Sequence, residues 1–142
     1  MKITTVKAFR LSGVLLGLIY LYWGFTQWDM ASRTRHPILS TTLTFIYAIL
    51  LLAPWTQLLR LRYWAFLYGI FVLFSLWMII AHAVGLLAAI AQPQIALIGI
   101  LAMLIVEISQ IPVLLIMKAA NKGVQRTLHK VSGPLTPDVR RD

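Results

Sequence analysis

Four long apolar runs, separated by short polar segments, account for most of the sequence. They extend over about 11–28, 38–59, 63–90 and 95–117. Each is near or above the roughly 17–25 residues that a helix needs to cross the hydrocarbon of a bilayer. None has the short alternating pattern of a membrane strand, and a helix satisfies its backbone polar groups internally. The pattern predicts an all-α membrane protein, with four transmembrane helices within residues 1–117 and a tail at 118–142.

The connections between these runs are short. Short connections force neighbouring helices to run antiparallel, which predicts an up-down four-helix bundle. Pro54 and Pro112 fall inside the second and fourth helices, where a proline lacks an amide donor and frees the carbonyl four residues earlier. We therefore expect a kink in both helices, with free carbonyls at Leu50 and Ile108.

The charge distribution predicts how the helices are oriented. The chain is 60% hydrophobic and only 12% charged, with a net charge of +9, and its mean hydropathy is +0.82. Of thirteen Lys and Arg, eleven lie in the N-terminal segment, the 60–62 loop or the tail, and two lie on the opposite side. The positive-inside rule then places both termini in the cytoplasm. The basic residues are therefore interpreted as topology signals, and nucleic acid is not an expected partner.

Three glycines lie on one face of the first helix. Gly13, Gly17 and Gly24, with Tyr20 between them, fall within about 80° of one another at roughly 100° per residue. Small residues allow another helix backbone to come close. We interpret this glycine face as a packing surface within the bundle, with a subunit interface in a homo-oligomer as the alternative.

An acid lies in the middle of the fourth run. Glu107 is the only glutamate of the chain, and a carboxylate at a helix centre costs roughly 2.5–3.5 kcal/mol to insert, so it should face protein or a water-filled cavity. Gln110 shares its helical face. His82 in the third helix lies within about 4.5 Å of the same depth, so it can hydrogen-bond to Glu107 if their faces meet.

These three residues support two interpretations. Glu107, Gln110 and His82 form a predicted polar core that binds or relays a proton or a cation. In the alternative, Glu107 and Gln110 only connect helices through hydrogen bonds and His82 is a packing residue.

The sequence shows no pattern of another catalytic or metal site. There is no cysteine, which excludes disulfides and thiolate chemistry. His36 and His129 lie in the outer loop and the tail, so no histidine pair shares a membrane depth for haem. The remaining acids are at membrane edges or in the tail: Asp29, Asp138 and Asp142. We expect neither an enzyme nor a bound metal or cofactor.

The segment 118–131, KAANKGVQRTLHKV, is basic and amphipathic. Its cations are spaced four residues apart, at Lys118, Lys122, Arg126 and Lys130. Such a segment binds an anionic lipid surface with roughly 1 kcal/mol per basic residue, and a cytoplasmic protein is the other partner considered. Gly133, Pro134 and Pro137 then predict a partly flexible end. A solvated tail without a partner is the alternative.

The tail also resembles known sequences. NKGVQRTLHKVSGPLTPDVRR, residues 121–141, resembles C-termini of proteins from bacterial integron gene cassettes, in which the reading frame runs into the recombination site. Asn121-Lys122 and Val139-Arg140 match what the ends of such a site would encode. The resemblance covers about 20 residues and implies a mobile bacterial gene, hence the bacterial inner membrane. The size and single midplane acid are similar to small multidrug resistance transporters, but their acid is on the first helix, so no mechanism is carried over.

Two functional hypotheses follow. In the first, an oligomeric transporter or channel-like protein binds a proton or cation at Glu107, with a pathway between subunits packed through the glycine face. In the second, a membrane interaction or effector protein, or an accessory subunit, has Glu107 as a structural link and the basic tail as its contact surface. The lipid bilayer is a partner in both.

Overall fold

The computed structural model describes residues 3–33, 38–90 and 96–131, without the side chains of residues 3, 30–33, 96 and 124–131. The helices are α1 (Ile3–Arg33), α2 (Ile38–Leu52), α3 (Trp55–Leu58), α4 (Trp64–Ile90) and α5 (Ala96–Val131). These residues contain no strand, which confirms the all-α prediction.

Three segments of these helices are long and apolar enough to cross a membrane. They are Thr4–Asp29, Trp64–Ile90 and Leu97–Gly123. Large apolar side chains cover the outside of the described structure, among them Phe66, Leu73 and Leu87. A continuous apolar surface of this kind marks a membrane or a protein interface. Both observations indicate a membrane protein.

The second apolar run is broken at Pro54. Its first helix, α2, ends at Leu52 after 15 residues, and the four-residue α3 follows. The predicted continuous helix over 38–59 is therefore wrong, because Pro54 ends the helix where only a kink was expected. The expected free carbonyl at Leu50 is present, and it accepts a hydrogen bond from Nε1 of Trp55 at 2.7 Å.

Two helices are longer than their apolar runs. α1 begins at Ile3 and ends at Arg33, beyond the predicted 11–28, and α5 continues to Val131, beyond the predicted end at 117. α5 also continues through Pro112 without ending. The basic segment 118–131 is thus a continuation of the last helix, and the predicted flexible end, 132–142, lies outside the described residues.

The core lies between α1, α2, α4 and α5. α1 packs against α2 and α5, and α4 packs against α5 and contacts α2. The largest buried side chains of this core are aromatic: Tyr20, Tyr47, Trp55 and Phe71. The rings of Trp55 and Phe71 meet edge to face, with centroids 5.3 Å apart, a geometry favoured by the ring quadrupoles.

The glycine face of α1 is covered by the chain's own helices. A Cβ atom at Gly17 would lie 3.0 Å from Cβ of Leu51, and one at Gly24 would lie 3.0 Å from Cε1 of Phe45. At Gly13 an added Cβ would collide with the side chain of Gln110. The face therefore packs α1 against α2 and α5, as the first interpretation predicts, and it is not open to a second subunit.

Candidate functional site: a buried Tyr20–His82–Glu107 cluster

Three helices each place one proton-carrying side chain at a shared position in the core. Tyr20 comes from α1, His82 from α4 and Glu107 from α5. Glu107 is completely buried and His82 is 9% exposed. Each residue lies roughly 5–8 Å from the middle of its apolar span, at 1.5 Å per residue. Similar offsets on three helices bring the side chains to a similar depth.

These three side chains contact one another directly. Nδ1 of His82 lies 3.1 Å from both carboxyl oxygens of Glu107. The hydroxyl of Tyr20 donates a hydrogen bond to Oε1 of Glu107. The same hydroxyl lies 3.3 Å from each ring nitrogen of His82. The geometry thus realises the predicted approach of His82 to Glu107 and adds Tyr20 to it.

The groups of this cluster are able to exchange a proton. A carboxyl and an imidazole in hydrogen-bond contact share one proton, which can lie on either group. Uptake or release of a further proton changes the charge of the cluster by one. Because an unpaired charge is costly in apolar surroundings, such a change favours a rearrangement of the three helices that hold the cluster.

Two further hydroxyl groups are buried next to the cluster. The ring of Tyr47 meets that of Tyr20 edge to face, with centroids 5.3 Å apart. Ser75 lies on α4 seven residues before His82, on the same helical face. Among the described residues, neither hydroxyl makes a hydrogen bond to the cluster; the hydroxyls of Tyr47 and Ser75 instead lie close to each other.

Gln110 belongs to a second polar network, the Arg10–Gln110 layer. Nη1 of Arg10 donates to Oε1 of Gln110 at 3.0 Å, and Nε2 of Gln110 donates to the Phe9 carbonyl at 2.8 Å. Arg10 also donates to the carbonyls of Leu51 and Ala53. Gln110 is fully buried, but it bonds to α1 rather than to Glu107. The predicted single polar core is therefore two adjacent networks.

Sequence reasoning missed Tyr20 and Arg10 as polar partners. Tyr20 was identified on the glycine face, and Arg10 was counted only as a topology signal. The available signals were the position of Tyr20 on an inward face, and the carbonyls that a helix leaves unpaired when it ends before a proline such as Pro54.

Beside Pro112, the hydroxyl of Tyr68 donates a hydrogen bond to the Ile111 carbonyl at 2.9 Å.

The four basic residues predicted to form the surface of the tail do not share one environment. Nζ of Lys118 donates to the Leu59 carbonyl at 2.5 Å and lies 4.7 Å from the centre of the Trp64 ring. Lys118 therefore attaches α5 to the turn between α3 and α4. Lys122 is exposed. The backbone of Arg126 and Lys130 is helical, but their side chains lie outside the described residues.

Among the described residues, no group of three His, Asp or Glu side chains is placed to hold a metal ion. Comparison of the chain with protein-family models, curated proteins and solved structures gives no match.

Proposed function

We propose that this chain is a small bacterial inner-membrane protein that couples proton or cation binding at the Tyr20–His82–Glu107 cluster to transport, as an oligomeric transporter or channel-like protein. The observation that carries this proposal is the contact of Nδ1 of His82 with both oxygens of Glu107, at 3.1 Å. Ionisable side chains in a membrane core mark proton and ion pathways.

The proposal includes four membrane crossings with both termini in the cytoplasm. α2 alone, at roughly 1.5 Å per residue, is about 22 Å long, which is shorter than the roughly 30 Å hydrocarbon core. Together with α3 it extends over Ile38–Leu58, which is sufficient for the fourth crossing. The contacts of α1 with α2 and α5, and of α4 with α5, support an up-down bundle. The loop charges support the orientation.

Proton coupling requires that the charge of the cluster affect helix packing. Tyr20, His82 and Glu107 connect α1, α4 and α5 through side chains only, so these bonds change when the proton moves. In the oligomer that we propose, subunits contact one another through a face other than the glycine face, because α2 and α5 already cover it.

The test is proton flux through protein reconstituted in liposomes that contain a pH-sensitive dye. Under an imposed pH gradient, Glu107→Gln should lower the flux at least about tenfold, because the amide cannot carry the proton. The matched control is Tyr68→Phe, which removes a partly buried hydrogen bond outside the cluster and should leave the flux unchanged. Equal flux in wild type and Glu107→Gln would contradict proton coupling at this site.

A second candidate function is membrane interaction, as an effector or accessory subunit with the basic helix end and tail as contact surface. Complete burial of Glu107, with hydrogen bonds from two helices, favours a structural link. On this hypothesis Glu107→Gln keeps the host phenotype, since glutamine still accepts a bond from Tyr20, whereas deletion of residues 121–142 abolishes it. If neither change alters the phenotype, both functions are wrong.

A further inference from the structure

A groove lies between α1, α3 and α5, at the end of the molecule that carries the 60–62 loop. Its volume is about 390 Å³, within the roughly 300–1,000 Å³ of small-molecule sites. Its apolar wall includes Val6, Leu59 and Met117, and its cations are Lys7, Arg10 and Arg60. We name it the basic groove.

The cations of the basic groove differ in what they already bind. Arg10 donates to Gln110 and to carbonyls at the end of α2, so its charge is held inside the protein. Lys7 and Arg60 are exposed, and neither makes a hydrogen bond or ion pair with the described side chains. None of the described residues that line the groove is an acid. Within the described structure, two accessible cations therefore lie beside an apolar wall without a negative charge in the same groove.

The groove opens at the ends of the membrane spans. Lys7 is near the start of Thr4–Asp29, and Asn121, which also lines the groove, is near the end of Leu97–Gly123. Arg60 is in the turn between α3 and α4. Cations at the end of a span lie at the level of the lipid headgroups, and apolar residues one or two turns further in lie at the level of the acyl chains.

We propose that the basic groove binds one acidic phospholipid. Its phosphate lies between Lys7 and Arg60, and the first part of an acyl chain lies along Ile116 and Met117, which line the groove about one helical turn further into the membrane than Asn121. Charge complementarity selects the headgroup, since anionic lipid is attracted to basic residues at the membrane surface. The apolar wall distinguishes this site from a site for a free anion. Lipid bound here contacts α1, α3 and α5, and so stabilises the end of the bundle opposite the Tyr20–His82–Glu107 cluster.

The test uses the purified full-length protein in detergent, with phosphatidylglycerol or phosphatidylcholine added, and counts lipid adducts by native mass spectrometry. Wild type should retain one phosphatidylglycerol in preference to phosphatidylcholine. Lys7→Gln and Arg60→Gln should each weaken this binding about fivefold, as expected for roughly 1 kcal/mol per basic residue. The matched control is Arg62→Gln, a neighbouring basic residue that does not line the groove, and its affinity should equal that of wild type.

A second variant tests the acyl-chain part of the site. Met117→Trp places a larger side chain in the groove without changing its charge. This variant should no longer retain the phosphatidylglycerol adduct, while its circular dichroism spectrum, which reports helix content, stays unchanged. The proposal is overturned if Arg62→Gln weakens binding as much as Arg60→Gln, because attraction would then be diffuse. It is also overturned if phosphatidylcholine binds equally well, or if inorganic phosphate competes at the affinity of the lipid.

Discussion

Glu107 is retained in an apolar core because its carboxyl group is bonded on both sides. Insertion of an acid at a helix centre costs roughly 2.5–3.5 kcal/mol, and a hydrogen bond to a charged group contributes roughly 1.5–3 kcal/mol. The two contacts, from Tyr20 and His82, are therefore of the size needed to offset the insertion. Each partner should consequently matter to stability as well as to proton binding.

Tyr20→Phe removes only the hydroxyl that donates to Glu107. We expect a loss of about 1–3 kcal/mol in the free energy of unfolding, since a buried acceptor loses its donor. Tyr22→Phe, on the same helix with the side chain 74% exposed, is the matched control and should have no effect. The measurement is chemical unfolding in a mild detergent followed by circular dichroism. Equal stability of the two variants would show that the Tyr20 bond is unimportant.

The residues of the site could be predicted in part. Glu107 and His82 are recognisable because polar groups in apolar runs stand out and their depth follows from residue counts. The contact of Tyr20 with this pair depends on how α1 is rotated about its axis, and helices that are apolar on all sides give little information about rotation. Arg10 was missed because a terminal cation in a membrane protein usually marks topology.

The helices are fixed against one another by close backbone approach and by bonds at their ends. Gly17 allows α1 to contact Leu51 and Leu52 of α2. At the end of α2, Arg10 donates to the Leu51 carbonyl, which the break before Pro54 leaves without a helical partner, and to the Ala53 carbonyl. These two contacts, about two helical turns apart on α1, set the position of α1 relative to α2.

Gly17→Ala should separate α1 from α2. The added Cβ would lie 2.9 Å from Cγ of Leu52 and 3.0 Å from Cβ of Leu51, and overpacking of this kind costs typically about 1–3 kcal/mol. Gly99→Ala is the matched control, because nothing lies within 4 Å of a Cβ at that position. Thermal unfolding of both variants in lipid nanodiscs measures the difference. A Gly17→Ala variant as stable as Gly99→Ala would disprove the packing role of the glycine face.

Arg10→Leu should destabilise the protein more than removal of an ordinary surface charge. It leaves Oε1 of Gln110 and the Leu51 carbonyl without the donor from Arg10, and it leaves the Ala53 carbonyl with only the backbone amide of Trp55 as donor. We expect a loss of about 3 kcal/mol or more, since each bond to a charged group contributes roughly 1.5–3 kcal/mol. Arg62→Gln is the control, and chemical unfolding is the measurement. A loss of the same size in both would mean that Arg10 acts only as a membrane-surface charge.

The helix bounds differ from the sequence prediction where composition and backbone geometry disagree. Residues 38–59 include no charged residue, so hydropathy does not reveal that Pro54 ends α2. At Lys118 composition changes from apolar to basic, which resembled a domain boundary. The helix continues because Lys, Ala and Gln are good helix formers, and charged residues can extend a helix beyond the bilayer.

Four crossings with both termini in the cytoplasm predict which segments of the chain a membrane-impermeant reagent can reach. Because the chain has no cysteine, single cysteines can report sidedness. Leu61→Cys and Ser132→Cys should react with a membrane-impermeant maleimide only after cells are permeabilised, whereas Gln92→Cys should react in intact cells. Cell-surface labelling followed by mass-shift electrophoresis measures this. Labelling of Ser132→Cys but not Leu61→Cys in intact cells would place the 60–62 loop and the C-terminal end of α5 on opposite sides of the membrane, which would contradict the four-crossing arrangement.

The central claim is that Glu107 exchanges a proton within a buried cluster. Glu107 is the only glutamate, so glutamate labelled with ¹³C at its carboxyl carbon reports one site in solid-state NMR of the protein in bilayers. Because Nδ1 of His82 contacts both carboxyl oxygens of Glu107, the resonance should differ between wild type and His82→Gln recorded at the same pH. A carboxyl resonance that is unchanged by His82→Gln would contradict the account.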